Sequence, residues 1–209
     1  MRGPRAGVVE TAKAMSRSRL TAGTSGNVSV RTNKGMLITP SGVPYEALKP
    51  KSIVAVSADG QARGALRPSS EWRFHLGIYA AHPEANAIVH THSDYATALA
   101  CTGRGIPAFH YMVAVAGGRD IPCAPYATFG TEELAENAVR VLEERRACLL
   151  ANHGQIALGE TPAAALKLAE EVETLARHYV FALSIGDVAV LDDAEMDRVL
   201  ERFEGYGKQ

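Results

Sequence analysis

Two pairs of short apolar segments lie so close together along the chain that only one kind of pairing suits them. Val28 and Val30 alternate with Asn27, Ser29 and Arg31, a turn follows at Asn33-Lys34-Gly35, and Met36-Leu37-Ile38 runs on at once. Further on, Ala147 to Asn152 is parted from Gln155 to Leu158 by a turn at Gly154. A parallel pair needs a crossover of a dozen or more residues, so both pairs read as antiparallel hairpins. Segments 52–57 and 86–92 add further strands.

Helical patterns interleave with these strands. Residues 6 to 20 carry Val8, Ala12 and Met15 on one helical face. Pro68-Ser69 opens a helix to about His82, Ser93-Asp94 caps a short one ending near Thr102, and Thr131 starts another with Leu134, Ala138, Val141 and Leu142 together. Thr161-Pro162 begins a long helix to about Ser184, with Ala165, Leu168, Val172, Leu175, Tyr179 and Leu183 as its buried stripe. Asp192-x-x-Glu195 caps a last helix that breaks at Gly205. The Gly, Pro and aromatic mixture at 103–128 takes no assignment. The expectation is an α/β chain, one domain over 1–209, with a central, mostly antiparallel or mixed sheet flanked by helices.

Charge narrows the partners. Lys and Arg number 22 against 23 Asp and Glu, so no net field gathers a phosphate backbone or an anionic bilayer, and neither nucleic acid nor membrane is expected as a partner. No apolar run approaches the roughly 18 residues of a membrane span. Cys101, Cys123 and Cys148 are odd in number and form no C-x-x-C pattern, which reads as buried thiols in a reducing cytoplasm.

The chemistry-bearing residues centre on Val89-His90-Thr91-His92. On a strand, side chains two apart share a face, so both imidazoles project together from alpha carbons ~6.6 Å apart. Chance alone supplies roughly 0.2 such pairs in a chain with this histidine content, so the pair needs a third member. His153, in Ala151-Asn152-His153-Gly154, stands at a strand end, where functional groups are commonly presented. Three neutral imidazoles bind zinc and leave a position open for water or substrate. Manganese and cobalt also suit such ligands. His75, His82 and His178, within expected helices, and His110 read as unrelated to the site. Glu71 has two readings: a first-turn carboxylate facing a helix dipole, or a base beside the metal that takes a proton from carbon.

Three segments offer small residues with amides and hydroxyls: Thr24-Ser25-Gly26-Asn27, Thr39-Pro40-Ser41-Gly42 and Ser69-Ser70. Each is an ordinary turn or cap taken singly; together they suit an anion held without Lys or Arg, and so a small phosphorylated substrate. A Schiff-base mechanism needs a desolvated lysine, whereas Lys13, Lys34, Lys49, Lys51, Lys167 and Lys208 fall on polar helix faces, turns or the tail.

Residues 23–31, 39–42 and 68–75, with His90-Thr91-His92 and Asn152-His153-Gly154, resemble the class II aldolase/adducin family across almost the whole chain. Segments 106–112 and 121–130 are most similar to its L-fuculose-1-phosphate aldolase branch. The resemblance implies a zinc enzyme that reversibly cleaves L-fuculose 1-phosphate to dihydroxyacetone phosphate and L-lactaldehyde, in a four-fold symmetric homotetramer with active sites between subunits. It implies His90, His92 and His153 as ligands and Glu71 as acid/base and resting ligand. Thr24, Gly26, Asn27, Ser41, Gly42, Ser69 and Ser70 fall in its phosphate-binding segments. Tyr111, whose local reading is a packing aromatic, is implied to reach a neighbouring subunit's site and protonate the aldehyde oxygen. Tyr206 lies in a segment similar to a mobile C-terminal tyrosine tail, and Asn152 departs from a second histidine there. Alternatives are a 5-deoxy- or methylthio-ribulose-1-phosphate aldolase, an L-ribulose-5-phosphate 4-epimerase, and a noncatalytic adducin-like scaffold.

Overall fold

The computed structural model describes residues 3–203. Its centre is one eight-stranded sheet: β1 (Asn27–Thr32), β2 (Gly35–Ile38), β3 (Val54–Ser57), β4 (Ala62–Arg63), β5 (Ala87–Thr91), β6 (Cys123–Ala124), β7 (Ala147–Leu150) and β8 (Gly154–Gly159). The order is β4-β3-β2-β1-β5-β8-β7-β6, antiparallel throughout except for the parallel β6–β7 pair at one edge. Both expected hairpins are present. In the second, however, the turn is carried by Asn152, at φ 55°, while Gly154 is already the first residue of β8. A Cβ at Gly154 would overlap the Thr91 carbonyl oxygen, so this glycine serves close approach of β5.

The helices are α1 (Pro4–Arg17), α2 (Trp72–Ala81), α3 (Asp94–Ala100), α4 (Glu132–Leu142), α5 (Pro162–Ile185) and α6 (Asp193–Phe203). Alternation along the strands gives the sheet two apolar faces. Val28, Val30, Val89 and Leu149 pack with Val8, Met15, Leu99 and Val172 from α1, α3 and α5. On the other face Ile38, Val54, Ile88 and Ile156 pack with Phe74 and Ile78 of α2 and Leu134 and Ala138 of α4. Each fully buried Val, Leu, Ile, Met or Phe among them contributes about 1.5–3 kcal/mol.

Several expectations are corrected. The helix after Pro68 begins three residues later than Ser69, because Ser69 and Thr39 are joined by a backbone hydrogen bond that keeps Pro68 and Ser69 extended; Glu71, not Ser69, is the N-cap residue. Strand 52–57 starts only at Val54, since Pro50–Ser52 forms a single 3-10 turn. In α5 the stripe fades beyond Ala176: Tyr179 is partly buried and Leu183 is exposed where the helix outruns the sheet. Among the cysteines only Cys148 is buried; Cys101 is exposed and Cys123 half-buried. The unassigned stretch contains the 3-10 segment Tyr111–Ala116 and β6. The break at Gly205 lies outside the described residues. Within them, no helix is long and apolar enough to cross a membrane.

Candidate active site and metal centre

The sheet register brings the site together. Asn27 of β1 lies directly opposite His90 of β5, and Thr91 lies opposite Gln155 of β8, two residues past His153 in the β7–β8 turn. His92 follows β5 immediately. Glu71 enters from the start of α2, above the same face. One ligand atom from each of Glu71, His90, His92 and His153 falls within 4.8 Å of every other.

Hydrogen bonds fix which atoms converge. His90 Nδ1 sits 2.9 Å from the Gln155 carbonyl oxygen, an acceptor only, so Nδ1 carries the proton and Nε2 presents a lone pair inward. That Nε2 is 3.0 Å from His92 Nε2 and 3.2 Å from Glu71 Oε2, and His153 Nε2 is 3.0 Å from Glu71 Oε1. Glu71 Oε1 is buried and accepts no hydrogen bond despite that proximity. Facing lone pairs and a buried carboxylate oxygen without a hydrogen-bond donor are an arrangement a divalent cation completes, so the donor set fits a metal.

Electrostatics agree. Burial alone would raise the Glu71 carboxyl, but the His90 and His153 imidazoles beside it hold it well below the usual carboxylate range. His90 is raised: burial is the largest influence and opposes its charge, but the Glu71 charge and hydrogen bond together with the Gln155 carbonyl outweigh it. His92 is lowered to about 4, by burial first and then by the charges of His90 and His153. Like charges on His90 and His92, whose Nε2 atoms are 3.0 Å apart, oppose one another. A cation replaces the shared protons with one fixed charge.

Beside the cluster opens a cavity of about 340 Å³ lined by Thr24, Ser25, Gly26, Asn27, Pro40, Ser41, Gly42, Ser69, Ser70 and Glu71 on one side. His92, His153, Asn152, Tyr126, Ala127 and Phe129 complete it. All three anion-type loops therefore meet in one place, and among the described residues no lysine or arginine lines it. Four of their amides serve the fold instead, because Ser25 N–H donates to the Ala22 carbonyl, Thr39 N–H to the Val28 carbonyl, Ser41 N–H to the Arg67 carbonyl and Ser69 N–H to the Thr39 carbonyl. Gly26, at φ 80°, passes so near β5 that a Cβ would sit 2.7 Å from the His90 carbonyl oxygen. The Tyr45 hydroxyl, 2.8 Å from the Gly26 carbonyl oxygen, ties this loop down.

Tyr111 is half exposed on its 3-10 segment, stacked on His110, and does not line this cavity. Tyr206 lies outside the described residues. The sequence reading missed Tyr126 and Phe129, exposed aromatics at the cavity rim, and it set His75 aside. His75 is wholly buried behind Glu71 and hydrogen-bonded to Asn27 and Ser29. The signal was available: Glu71, His75 and Tyr79 recur every four residues and so share one helical face.

The comparisons follow the same lines. The profile of the class II aldolase and adducin N-terminal domain matches residues 6–180. A 5-methylthioribulose-1-phosphate/5-deoxyribulose-1-phosphate aldolase of Rhodospirillum rubrum is 52% identical over 97% of this chain and 92% of its own length. An L-fuculose phosphate aldolase of Escherichia coli strain K12 is 51% identical over 96% of this chain and 94% of its own. A solved L-fuculose 1-phosphate aldolase superposes with a TM-score of 0.93 at 42% identity, covering 96% of each chain.

Proposed function

This chain belongs to the class II aldolase and adducin family and is an aldolase, and from that premise we propose that it cleaves L-fuculose 1-phosphate reversibly to dihydroxyacetone phosphate and L-lactaldehyde. The observation that carries this reading is the convergence of Glu71, His90, His92 and His153 on a cavity walled by three loops of small polar residues and, among the described residues, by no lysine.

Zinc held by His90, His92 and His153, with Glu71 as a fourth resting ligand, would supply Lewis-acid stabilisation of negative charge on the substrate oxygens. The loops at Thr24, Gly26, Asn27, Ser41, Gly42, Ser69 and Ser70 hold the phosphate with amides and hydroxyls. In the condensation direction Glu71 removes the proton from the attacking carbon, and Tyr111 of a neighbouring protomer protonates the aldehyde oxygen; cleavage reverses both transfers. The half-exposed Tyr111, absent from its own cavity, and the exposed Phe181 and Ile185 on α5 support a homotetramer with shared sites. Three free cysteines suit a cytoplasmic enzyme.

A second reading has a specific observation behind it. The Rhodospirillum relative is as similar as the fuculose enzymes, and Asn152, Tyr126 and Phe129 at the cavity wall suit a 5-deoxy or methylthio substituent equally. Measuring kcat/KM for L-fuculose 1-phosphate, 5-deoxyribulose 1-phosphate and 5-methylthioribulose 1-phosphate decides between them. A preference for the methylthio sugar displaces fuculose. An epimer formed with no triose would instead indicate the 4-epimerase.

A further inference from the structure

Behind Glu71 runs a buried polar chain that reaching the cavity does not require. Tyr79 and His75 of α2, at four-residue spacing from Glu71, face Ser29 and Asn27 of β1, two residues apart on one strand face. The Tyr79 hydroxyl is 2.8 Å from Ser29 Oγ, Ser29 Oγ is 2.7 Å from His75 Nδ1, and His75 Nε2 meets Asn27 Oδ1. Asn27 Nδ2 then lies 2.9 Å from Glu71 Oε2 and 3.0 Å from Ser69 Oγ. Phe74 stacks on the His75 ring at 4.6 Å, closing it from solvent.

Donor and acceptor needs orient every member. An ionised carboxylate only accepts, so Asn27 turns its NH₂ to Glu71 and its carbonyl oxygen to His75. His75 must donate from Nε2, which leaves Nδ1 to accept from the Ser29 hydroxyl, and Ser29 in turn accepts from Tyr79. Reversing the Asn27 amide would set its oxygen against the Glu71 carboxylate and its NH₂ against an N–H. We propose that His75 is a positioning residue which, as the Nε2–H tautomer, locks the Asn27 amide in the one orientation that holds the Glu71 carboxylate beside the three histidines. The inference rests on the proposed role of Glu71, and two of its readouts need no turnover.

Nitrogen NMR of the imidazole rings in the metal-free protein tests the tautomer directly. A protonated Nε2 and bare Nδ1 on His75 are expected near neutral pH, and the opposite tautomer overturns the proposal whatever the reaction proves to be. The cobalt-loaded protein reports the carboxylate through its visible spectrum. His75→Leu should change that spectrum and lower kcat by about tenfold or more with KM moved far less. His75→Gln, whose amide donates to Asn27 and accepts from Ser29, should restore most of both. Because His75 acts through Asn27, adding His75→Leu to Asn27→Ala should cost almost nothing beyond Asn27→Ala alone. Additive losses, an unchanged cobalt spectrum in His75→Leu, or a Gln variant as impaired as Leu would each sink the idea; the wild-type tautomer decides it even where His75→Leu fails to fold.

Discussion

Replacing Glu71 by Gln keeps the outline of the side chain and removes its ability to take up a proton from carbon. The carboxylate is nearly buried, 6% exposed, so water is a poor substitute. Positioned general bases contribute about 10²–10⁴ in rate, and kcat should fall by that factor, roughly 3 to 5 kcal/mol of barrier. The fold should suffer little. The bond from Asn27 Nδ2 to Oε2, 2.9 Å long, changes from charge-assisted to neutral, which costs about 1 kcal/mol. In a chain of this size that lowers Tm by roughly 2–4 °C. Three imidazoles remain, so the metal should stay bound. The assay is deuterium exchange of the reactive carbon proton of dihydroxyacetone phosphate, followed by NMR without any aldehyde, alongside metal content and Tm. A fully metallated Glu71→Gln protein exchanging within about tenfold of the parent, while chelation abolishes exchange, would refute Glu71 as the base.

Other consequences are accessible to simple measurements. Zinc at about a hundredfold its Kd should stabilise the protein by about 2.7 kcal/mol, a Tm rise of roughly 5–10 °C, and His90→Ala should erase most of it; no shift in the parent would count against the metal centre. Burial first, and then the charge of His90, lowers the His75 pKa to about 3 from 6.5. The unfolded chain therefore takes up that proton first as the pH falls. Its contribution is whole above pH 6.5 and is lost between there and about pH 3, at about 1.4 kcal/mol per pH unit. A His75→Gln protein should show an acid limb shallower by one proton in denaturant midpoints, and an unchanged slope would contradict the assignment. Gly26→Ala should destabilise by about 1–3 kcal/mol, because φ 80° and the His90 carbonyl both exclude a side chain; a loss under about 0.5 kcal/mol would show that the loop yields. Tyr111→Phe should slow cleavage while leaving carbon-proton exchange intact; equal loss of both would remove Tyr111 from the aldehyde step.

Local pattern carried much of this molecule. The hairpins were legible because two or three turn residues leave no room for any other pairing. His90 and His92 were legible as a pair because strand side chains repeat every two residues, and the three small-residue loops stood out only together, since each alone is an ordinary turn or cap. Segments whose form depends on a distant partner were not legible. β4 and β6 are two residues each and exist only against β3 and β7. The start of α2 was misplaced because Ser69 is held extended by Thr39, thirty positions away.

The clearest division runs through Glu71 and His75. The sequence by itself determined that four-residue spacing lines Glu71, at the head of the helix, up with His75 and Tyr79 on one of its sides, and that Asn27 and Ser29 share one face of a strand, since backbone periodicity sets both. Only the tertiary structure decided that the two faces meet, with Glu71 turned from its own helix end toward three histidines and His75 enclosed behind it. Side-chain direction follows from local torsions; which groups desolvate one another follows from how the whole chain packs, and proton positions in a buried site depend on that.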